Sequence, residues 1–254
     1  HQAILSRAPR NIDIIQSNPL KFIRSSSASL PSIVMENLER VFNTCVIESY
    51  GMTEAAHQMT SNPLPPRKRK SGTVGLAAGP DVALLYKNEI INNDQNNRNI
   101  TGHIIIKGEN VTNGYINNPK ANAESFINGW FLTGDEGMFD DDGYLKITGR
   151  LKEIINRGGE KISPKEIDEI LMDNENIQQA VAFSVPHEKL GEDLFAAVVL
   201  KENKITNEDE LKDYCKNRLT KFKIPRKILI IQEIPKGPTG KLQRIGLAEK
   251  LGIK

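Results

Sequence analysis

The chain has 254 residues, a formal net charge of +2, 38% hydrophobic and 26% charged residues, which is ordinary globular composition with length for one or two domains. A charge this close to balance singles out no charged partner, and no apolar run approaches the roughly 20 residues that a membrane-spanning helix needs. The four histidines and two cysteines make no zinc pattern. Cys45 and Cys215 stand far apart, as buried thiols of a reducing compartment or as the ends of one disulfide. The chain opens on His1 without a signal-peptide pattern, and Leu251-Gly252-Ile253-Lys254 is not a Ser-Lys-Leu address; a cytoplasmic or peroxisomal location is the expectation.

In chain order, Lys21 to Arg24 read as a short strand running into Ser25-Ser26-Ser27-Ala28-Ser29-Leu30. Pro31 opens a helix with Val34, Leu38, Val41 and Phe42 on one face. Cys45-Val46-Ile47 is a second strand, leading into Glu48-Ser49-Tyr50-Gly51-Met52-Thr53-Glu54. A strand–helix–strand unit over 21–62 makes the two strands parallel. Both loops then leave from strand carboxyl ends, the edge where open α/β sheets bind ligands, with Ser27 and Glu54 on one side of a cleft. Arg67-Lys68-Arg69-Lys70 reads as a solvated surface loop, a polyanion patch being the alternative. From 72 to 148, short glycine-punctuated segments (Val82–Tyr86, His103–Lys107, Leu145–Thr148) predict a β-rich subdomain, and the Asn/Asp/Gln-rich run Asn92 to Asn99 an exposed hairpin tip.

The alternation of Tyr144 to Thr148 stops at Gly149, and a run of charges follows. The Gly158-Gly159 pair allows a sharp turn or the close approach of a ligand. Ser163-Pro164-Lys165-Glu166 reads as a helix start with Ser163 as N-cap and Pro164 at the first helical position. A helix over Pro164–Met172 is followed by strands over Ala180–Val185 and Phe195–Leu200 and a helix from about Glu208 to Leu219, capped by Asn207 or Thr206. A strand over Lys227–Ile231, a Pro/Gly-rich loop carrying Lys241 and a last helix near Gln243–Leu251 complete a small α+β domain.

Four of these segments resemble, in order, the motifs of the AMP-forming acyl-CoA synthetases, the adenylate-forming enzymes. Glu48 to Glu54 is similar to the adenine-binding segment, and Trp130-Phe131-Leu132-Thr133-Gly134-Asp135 to the ribose-binding one. Gly149-Arg150-Leu151-Lys152-Glu153 with Arg157-Gly158-Gly159-Glu160 resembles the hinge, and Pro235-Lys236-Gly237-Pro238-Thr239-Gly240-Lys241 the C-terminal lysine loop. The implied fold is α/β plus α+β: the C-terminal part of the large adenylate-forming domain over 1–151, then a small mobile C-terminal domain over 152–254. The family's Lys-containing phosphate loop has no counterpart here. The sequence therefore reads as the C-terminal half of a longer enzyme, inactive by itself.

The resemblance implies an acid–CoA ligase that uses ATP, Mg²⁺ and coenzyme A. A carboxylate attacks the α-phosphate of ATP to release pyrophosphate, and CoA then displaces AMP from the acyl-adenylate. Chemistry of this kind needs positioning and charge stabilisation more than a protein nucleophile. Tyr50 offers a flat face to adenine, with Glu48, Ser49, Gly51 and Met52 beside it. Thr53 bonds a phosphate oxygen, and Glu54 is a hard oxygen ligand for Mg²⁺, although a helix N-cap pair would account for both residues. Ser27, Ala28 and Ser29 fall in the nucleotide-facing loop. Asp135 accepts from both ribose hydroxyls and Arg150 donates to the same sugar. Lys152 matches the hinge, while Gly158, Gly159 and Glu160 match the path of the CoA arm. Lys241 matches the lysine between α-phosphate and carboxylate, in a loop that departs from the usual family pattern at Gly237 and Thr239.

Within the superfamily the branch of plant and fungal oxalyl-CoA synthetases is the nearest resemblance, carried by 25–30, by 54–63 and by 157–164. It implies that Ser27 and His57 hold a small diacid, where a fatty-acid enzyme would keep apolar walls. The alternatives are activation of aromatic or fatty acids, or loading of a carrier protein, and a non-catalytic basic module. The last fits poorly with 6% aromatics and a basic run that lacks neighbouring aromatic platforms. Partners are thus small molecules, with no nucleic acid and no membrane span; the sequence leaves the oligomeric state unassigned.

Overall fold

A computed structural model describes residues 1–26, 28, 30–237 and 242–253. Of the residues singled out above, Ser27, Ser29, Pro238, Thr239, Gly240, Lys241 and Lys254 lie outside the described residues. Two compact units divide the chain between Ile147 and Thr148.

The first unit opens with two short helices absent from the sequence reading, α1 (Gln2–Arg7) and α2 (Ile12–Ser17). Strand β1 (Ile23–Ser25), helix α3 (Ser32–Phe42) and strand β2 (Val46–Tyr50) follow. Helix α3 buries Val34, Met35 and Leu38, ends on Asn43 in the left-handed conformation, and returns the chain so that β2 lies parallel to β1 with Ser25 opposite Glu48. Two short antiparallel strands, β3 (Thr60–Ser61) and β4 (Leu76–Ala77), extend this sheet in the order β1-β2-β3-β4.

A second sheet is built from β5 (Asp81–Tyr86), β6 (Glu89–Ile91), β7 (Gly102–Lys107), β8 (Phe126–Ile127), β9 (Trp130–Phe139) and β10 (Leu145–Arg150), with α4 (Pro119–Ser125) before β8. Its order is β10-β9-β7-β5-β6, with β8 beside β9. Because β6 and β7 flank β5 rather than each other, the Asn92 to Asn99 segment is a crossing loop and not a hairpin tip. Its amides close on themselves and on the 140–143 turn: Asn97 Nδ2 donates to Asp94 at 2.9 Å, Asn93 Nδ2 to the Gly143 carbonyl at 2.9 Å and Asn99 Nδ2 to Asp141 at 2.7 Å. The basic run is likewise tied to the unit's own carboxylates. Arg69 pairs with Glu39, and Lys70 with Asp140 (2.8 Å) and Asp142.

The second unit contains β11 (Ile155–Arg157), β12 (Glu160–Ile162), α5 (Pro164–Met172), β13 (Ile177–His187), β14 (Gly191–Leu200), α6 (Glu208–Lys216), β15 (Lys227–Ile230) and α7 (Leu247–Lys250). The order is β12-β11-β14-β13, with β15 parallel to β14. Period-two alternation gives this sheet two apolar faces. Ala180, Ala182, Leu194, Ala196 and Val198 meet Ile167 and Leu171 of α5 and Leu211 and Cys215 of α6 on one face. Val181, Phe183, Val185 and Ala197 meet Ile234 and Leu247 on the other. Both cysteines are free, and burial pushes the Cys215 thiol up to about 11, as suits an inert core thiol.

Three local expectations are corrected. Ser163 precedes α5 but makes no side-chain cap; its hydroxyl donates instead to the Thr148 carbonyl at 2.5 Å. Helix α6 stops at Lys216, with Asn207 rather than Thr206 as cap, accepting from the Glu210 N–H at 3.0 Å. The last helix starts only at Leu247 because Gly246 takes a left-handed φ of 75°. No helix among the described residues is long and apolar enough to cross a membrane.

Leu171 is fully buried between α5 and the sheet. Leu171→Ala is expected to cost about 2–5 kcal/mol by denaturant unfolding, since the rigid strand beneath cannot collapse into the void.

Candidate active site

Strand β9 buries every second residue, which puts Phe131, Thr133, Asp135, Gly137 and Phe139 inward. Its pairing with β7 slips there. His103 opposes Glu136 and Ile105 opposes Leu132, so two residues of β7 span four of β9. The excess chain is a bulge centred on Thr133-Gly134-Asp135, and bulges re-aim side chains. Gly134 takes φ 79°, open to glycine without strain. Side chains lock the bulge: Thr133 Oγ1 donates to the Ile104 carbonyl at 2.8 Å and accepts from Asp135 N–H at 3.1 Å, while Gly134 N–H donates to His103 Nε2 at 2.8 Å.

Asp135 is only 5% exposed, and Tyr50 at the end of β2 donates its hydroxyl to Asp135 Oδ2 at 2.5 Å. The structure thus joins the two sequence-predicted nucleotide residues directly, 85 positions apart. Burial lowers the pKa of His103 while Asp135 pulls it upward; the net shift is down, which keeps Nε2 an acceptor.

The chain after β2 turns through Met52 into a short 3₁₀ turn, Thr53–Ala55. Gly51 has no room for a side chain, because a Cβ would stand 2.1 Å from the His57 carbonyl oxygen. Its bare face is therefore filled by the protein's own backbone. Thr53 and His57 are exposed, His57 in a left-handed conformation, and Met52 packs partly buried near Met59. Glu54 is half-buried, and its Oε1 accepts the Tyr115 hydroxyl at 2.9 Å. Tyr115 is raised in pKa, first by burial and then by Glu54. Backbone carbonyls of the same turn are held by the following loop: Thr112 N–H donates to Glu54 O at 2.7 Å and Asn110 Nδ2 to Ala55 O at 3.0 Å.

Glu48 and Ser49 are buried and engaged by the protein itself. Glu48 Oε1 accepts from Leu30 N–H at 3.1 Å, closing the Ser-rich loop onto β2, and Ser49 Oγ donates to Ser25 O at 3.3 Å. Ala28 is exposed in that loop. The loops after β1 and β2 leave the same edge of the sheet, as parallel pairing requires. No cluster of three or more His, Cys, Asp or Glu suited to a metal occurs among the described residues.

In the second unit, Arg150 and Lys152 are exposed, Lys152 within the 3₁₀ turn Leu151–Glu153. Gly158 and Gly159, with φ of 62° and 95°, make the two-residue turn of the β11–β12 hairpin, and Glu160 starts β12 exposed. Arg157 Nε pairs with Asp193 at 2.7 Å, a carboxylate only 2% exposed. Arg244 spans three elements: Nε to Glu153 Oε2 at 2.9 Å, Nη2 to Asp168 Oδ2 at 2.9 Å and Nη1 to the Ala182 carbonyl at 2.6 Å. Burial raises the Asp168 carboxyl to about 6 against the pull of Arg244. Burial works to lower the Arg244 pKa, but Asp168 and Glu153 outweigh it. His103, Tyr115 and Arg244 were missed in the sequence because each acts on a partner distant in the chain.

Gly51→Ala is expected to destabilise the first unit by about 1–3 kcal/mol in thermal or urea unfolding, since the obstacle is backbone and cannot swing away. The His103 pKa lies below its ordinary 6.5, so the unfolded chain binds more protons near that pH. Its contribution to stability is thus present above about pH 6.5 and lost as pH falls through the folded value. His103→Gln, whose amide oxygen can accept from Gly134, is expected to flatten that acid-side slope in unfolding measured between about pH 5 and 7.5.

A family model for the AMP-binding enzyme matches residues 3–116, and one for the AMP-binding enzyme C-terminal domain matches 166–241. The oxalate–CoA ligase of Arabidopsis thaliana is 47% identical over 96% of this chain and 47% of its own length. That of Saccharomyces cerevisiae is 48% identical over 91% of this chain and 42% of its own. Among solved structures, the o-succinylbenzoate CoA synthetase of Bacillus subtilis in complex with its acyl-adenylate intermediate superposes with a TM-score of 0.80 at 28% identity, over 97% of this chain and 49% of that one. The chain spans about half the length of the curated relatives it matches. With both family models matched in chain order and the oxalate–CoA ligases 47–48% identical over more than nine-tenths of this chain, the chain belongs to the AMP-binding, adenylate-forming enzymes related to the CoA ligases.

Proposed function

We propose that the whole protein carrying this chain is an AMP-forming oxalate–CoA ligase, and that this portion supplies most of its nucleotide contacts. The observation that carries the nucleotide reading is the Tyr50–Asp135 hydrogen bond at the β9 bulge. It couples a flat ring suited to adenine with a buried carboxylate, an acceptor chemically suited to the hydroxyls of a vicinal diol.

In this reading ATP lies along the edge from which the loops after β1 and β2 leave. Tyr50 stacks on adenine, with Gly51 and Met52 shaping the turn, Glu48 holding Leu30 and Ser49 holding Ser25; the resemblance puts Ser27, Ala28 and Ser29 in the nucleotide-facing loop. Asp135 and Arg150 bind the ribose. Thr53 donates to a phosphate oxygen. Glu54 is one hard, half-buried carboxylate, which fits Mg²⁺, an ion that keeps waters and phosphate oxygens as its other ligands. Bound there, Mg²⁺ would neutralise phosphate charge. Lys241 delivers a point charge between the α-phosphate and the attacking carboxylate, where negative charge accumulates in adenylation. Lys152, close after the division of the two units at Ile147/Thr148, is the pivot on which the domain that follows it turns, and a hinge need only absorb backbone change. Gly158, Gly159 and Glu160 then border the CoA arm. Oxalate is favoured by the curated relatives' names and by His57, exposed beside the Glu54 turn, which with Ser27 offers donors to a second carboxylate.

The test is CoA-dependent release of AMP from ATP by the whole enzyme with oxalate, malonate, coumarate and a long-chain fatty acid. Activity confined to oxalate is expected. Asp135→Ala should lower kcat/KM for ATP by about 10²-fold or more, while His57→Ala raises KM for oxalate without changing KM for ATP. Preference for an aromatic or fatty acid would remove the oxalate assignment and leave the ligase; no AMP with any acid would remove both.

A further inference from the structure

The lysine loop is pinched at its base. Lys236 and Leu242 form an isolated antiparallel bridge, and Gly237 lies so close to the Gln243 side chain that a Cβ would stand 3.2 Å from Gln243 Oε1. Immediately beyond this stem comes Arg244, three residues after Lys241. An extended chain of that length spans only about 10 Å, so whatever fixes Arg244 limits where the lysine can be.

Arg244 is fixed from three directions. Its Nε donates to Glu153, the residue after Lys152, in the 3₁₀ turn Leu151–Glu153. Its two Nη atoms take both oxygens of Asp168 on α5, at 2.9 and 3.3 Å, and Nη1 also reaches the Ala182 carbonyl of β13. Asp168 Oδ1 in turn accepts the Ala182 N–H at 2.6 Å, so guanidinium, carboxylate and one peptide unit of the sheet form a closed set. The Arg244 and Asp168 side chains are 17% and 18% exposed. A planar fork with donors in three directions can satisfy this set; an ammonium cannot.

We propose that Arg244 is a positioning residue for adenylation: it rivets the stem of the Lys241 loop to the segment next to Lys152, so that turning at Lys152 carries the lysine with it as one body. This rests on the reading of Lys241 and Lys152 given above. A positioning residue of this kind matters when the lysine must be in place and matters little once CoA attacks the finished adenylate. A residue that merely holds the unit together would affect both steps alike.

The two half-reactions separate these roles. Adenylation is read in the whole enzyme as acid-dependent ATP–pyrophosphate exchange without CoA. Thioester formation is read as the single-turnover discharge of bound acyl-adenylate on adding CoA. Arg244→Lys and Glu153→Gln are each expected to slow exchange by about tenfold or more and to change discharge by less than about twofold. Together they should cost less than the sum of the two, because both break one network. Glu153 is the more exposed partner, so Glu153→Gln keeps the test sound if Arg244→Lys does not fold. Equal slowing of both half-reactions, or exchange left unchanged by Glu153→Gln, would overturn the proposal. Lys241→Ala is the control. Exchange retained there would remove the lysine's role and the need for an anchor, whereas exchange lost there but unchanged in Glu153→Gln would remove the anchor alone.

Discussion

A carboxylate that is 5% exposed has lost most of its water and needs protein donors in its place, and Asp135 dictates much of the first unit for that reason. The Tyr50 hydroxyl is one such donor, and meeting it requires β2 and β9, which belong to different sheets, to present their side chains to one point. The bulge provides the aim. Two residues of β9 beyond the regular register rotate Thr133-Gly134-Asp135, and His103 and the Ile104 carbonyl keep the irregularity from relaxing. A regular strand would satisfy more backbone bonds but could not place this carboxylate.

The Glu54 turn follows a related logic with backbone in place of side chains. A 3₁₀ turn of three residues leaves carbonyls without partners inside the turn, and the 110–112 segment supplies them. Gly51 lets the His57–Gln58 peptide close over the start of the turn. Residues assigned to phosphate and metal thus sit on a loop whose path is determined by hydrogen bonds on one side and close packing on the other, the usual way a rigid scaffold presents chemistry on a loop.

The second unit sets opposite charges against each other, the most deeply buried being Asp193. Its apolar faces account for the bulk of its cohesion, but they would tolerate small displacements of the elements around them. Ion pairs are less tolerant. Asp193 is held between Arg157 and Arg226, which ties the glycine hairpin to the 222–226 segment, where Arg157 also bonds the Phe222 and Ile224 carbonyls. Asp168 and Glu153 hold Arg244. Removing one partner of such a pair leaves the other uncompensated, which is costly, and the geometry around these groups is correspondingly strict.

Local signals in the sequence determined the parallel strand–helix–strand unit, the β-rich stretch and the start of α5 at Pro164, because apolar period, glycine and proline placement act within a few residues; the four motif segments were legible only through their resemblance to a family. Where a decision depended on a distant partner, the same signals misled or said nothing. Ser163 has the sequence of a cap, yet the Thr148 carbonyl takes its hydroxyl; Gln243 to Leu251 has helical content, yet Gly246 and the pull on Arg244 delay the helix. The Asn-rich run is mostly exposed, as its composition implies, but it crosses between β6 and β7 instead of forming a hairpin tip, with amides bonded to the 140–143 turn. The resemblance of their segments to family motifs, together with residue chemistry, named Tyr50, Glu54 and Asp135 as candidates. That Tyr50 meets Asp135, that Tyr115 holds Glu54 and that Arg244 joins three elements were decided only in three dimensions, because a hydrogen bond is set by distance and direction, and chain separations of 85, 61 and 91 residues carry no trace of either.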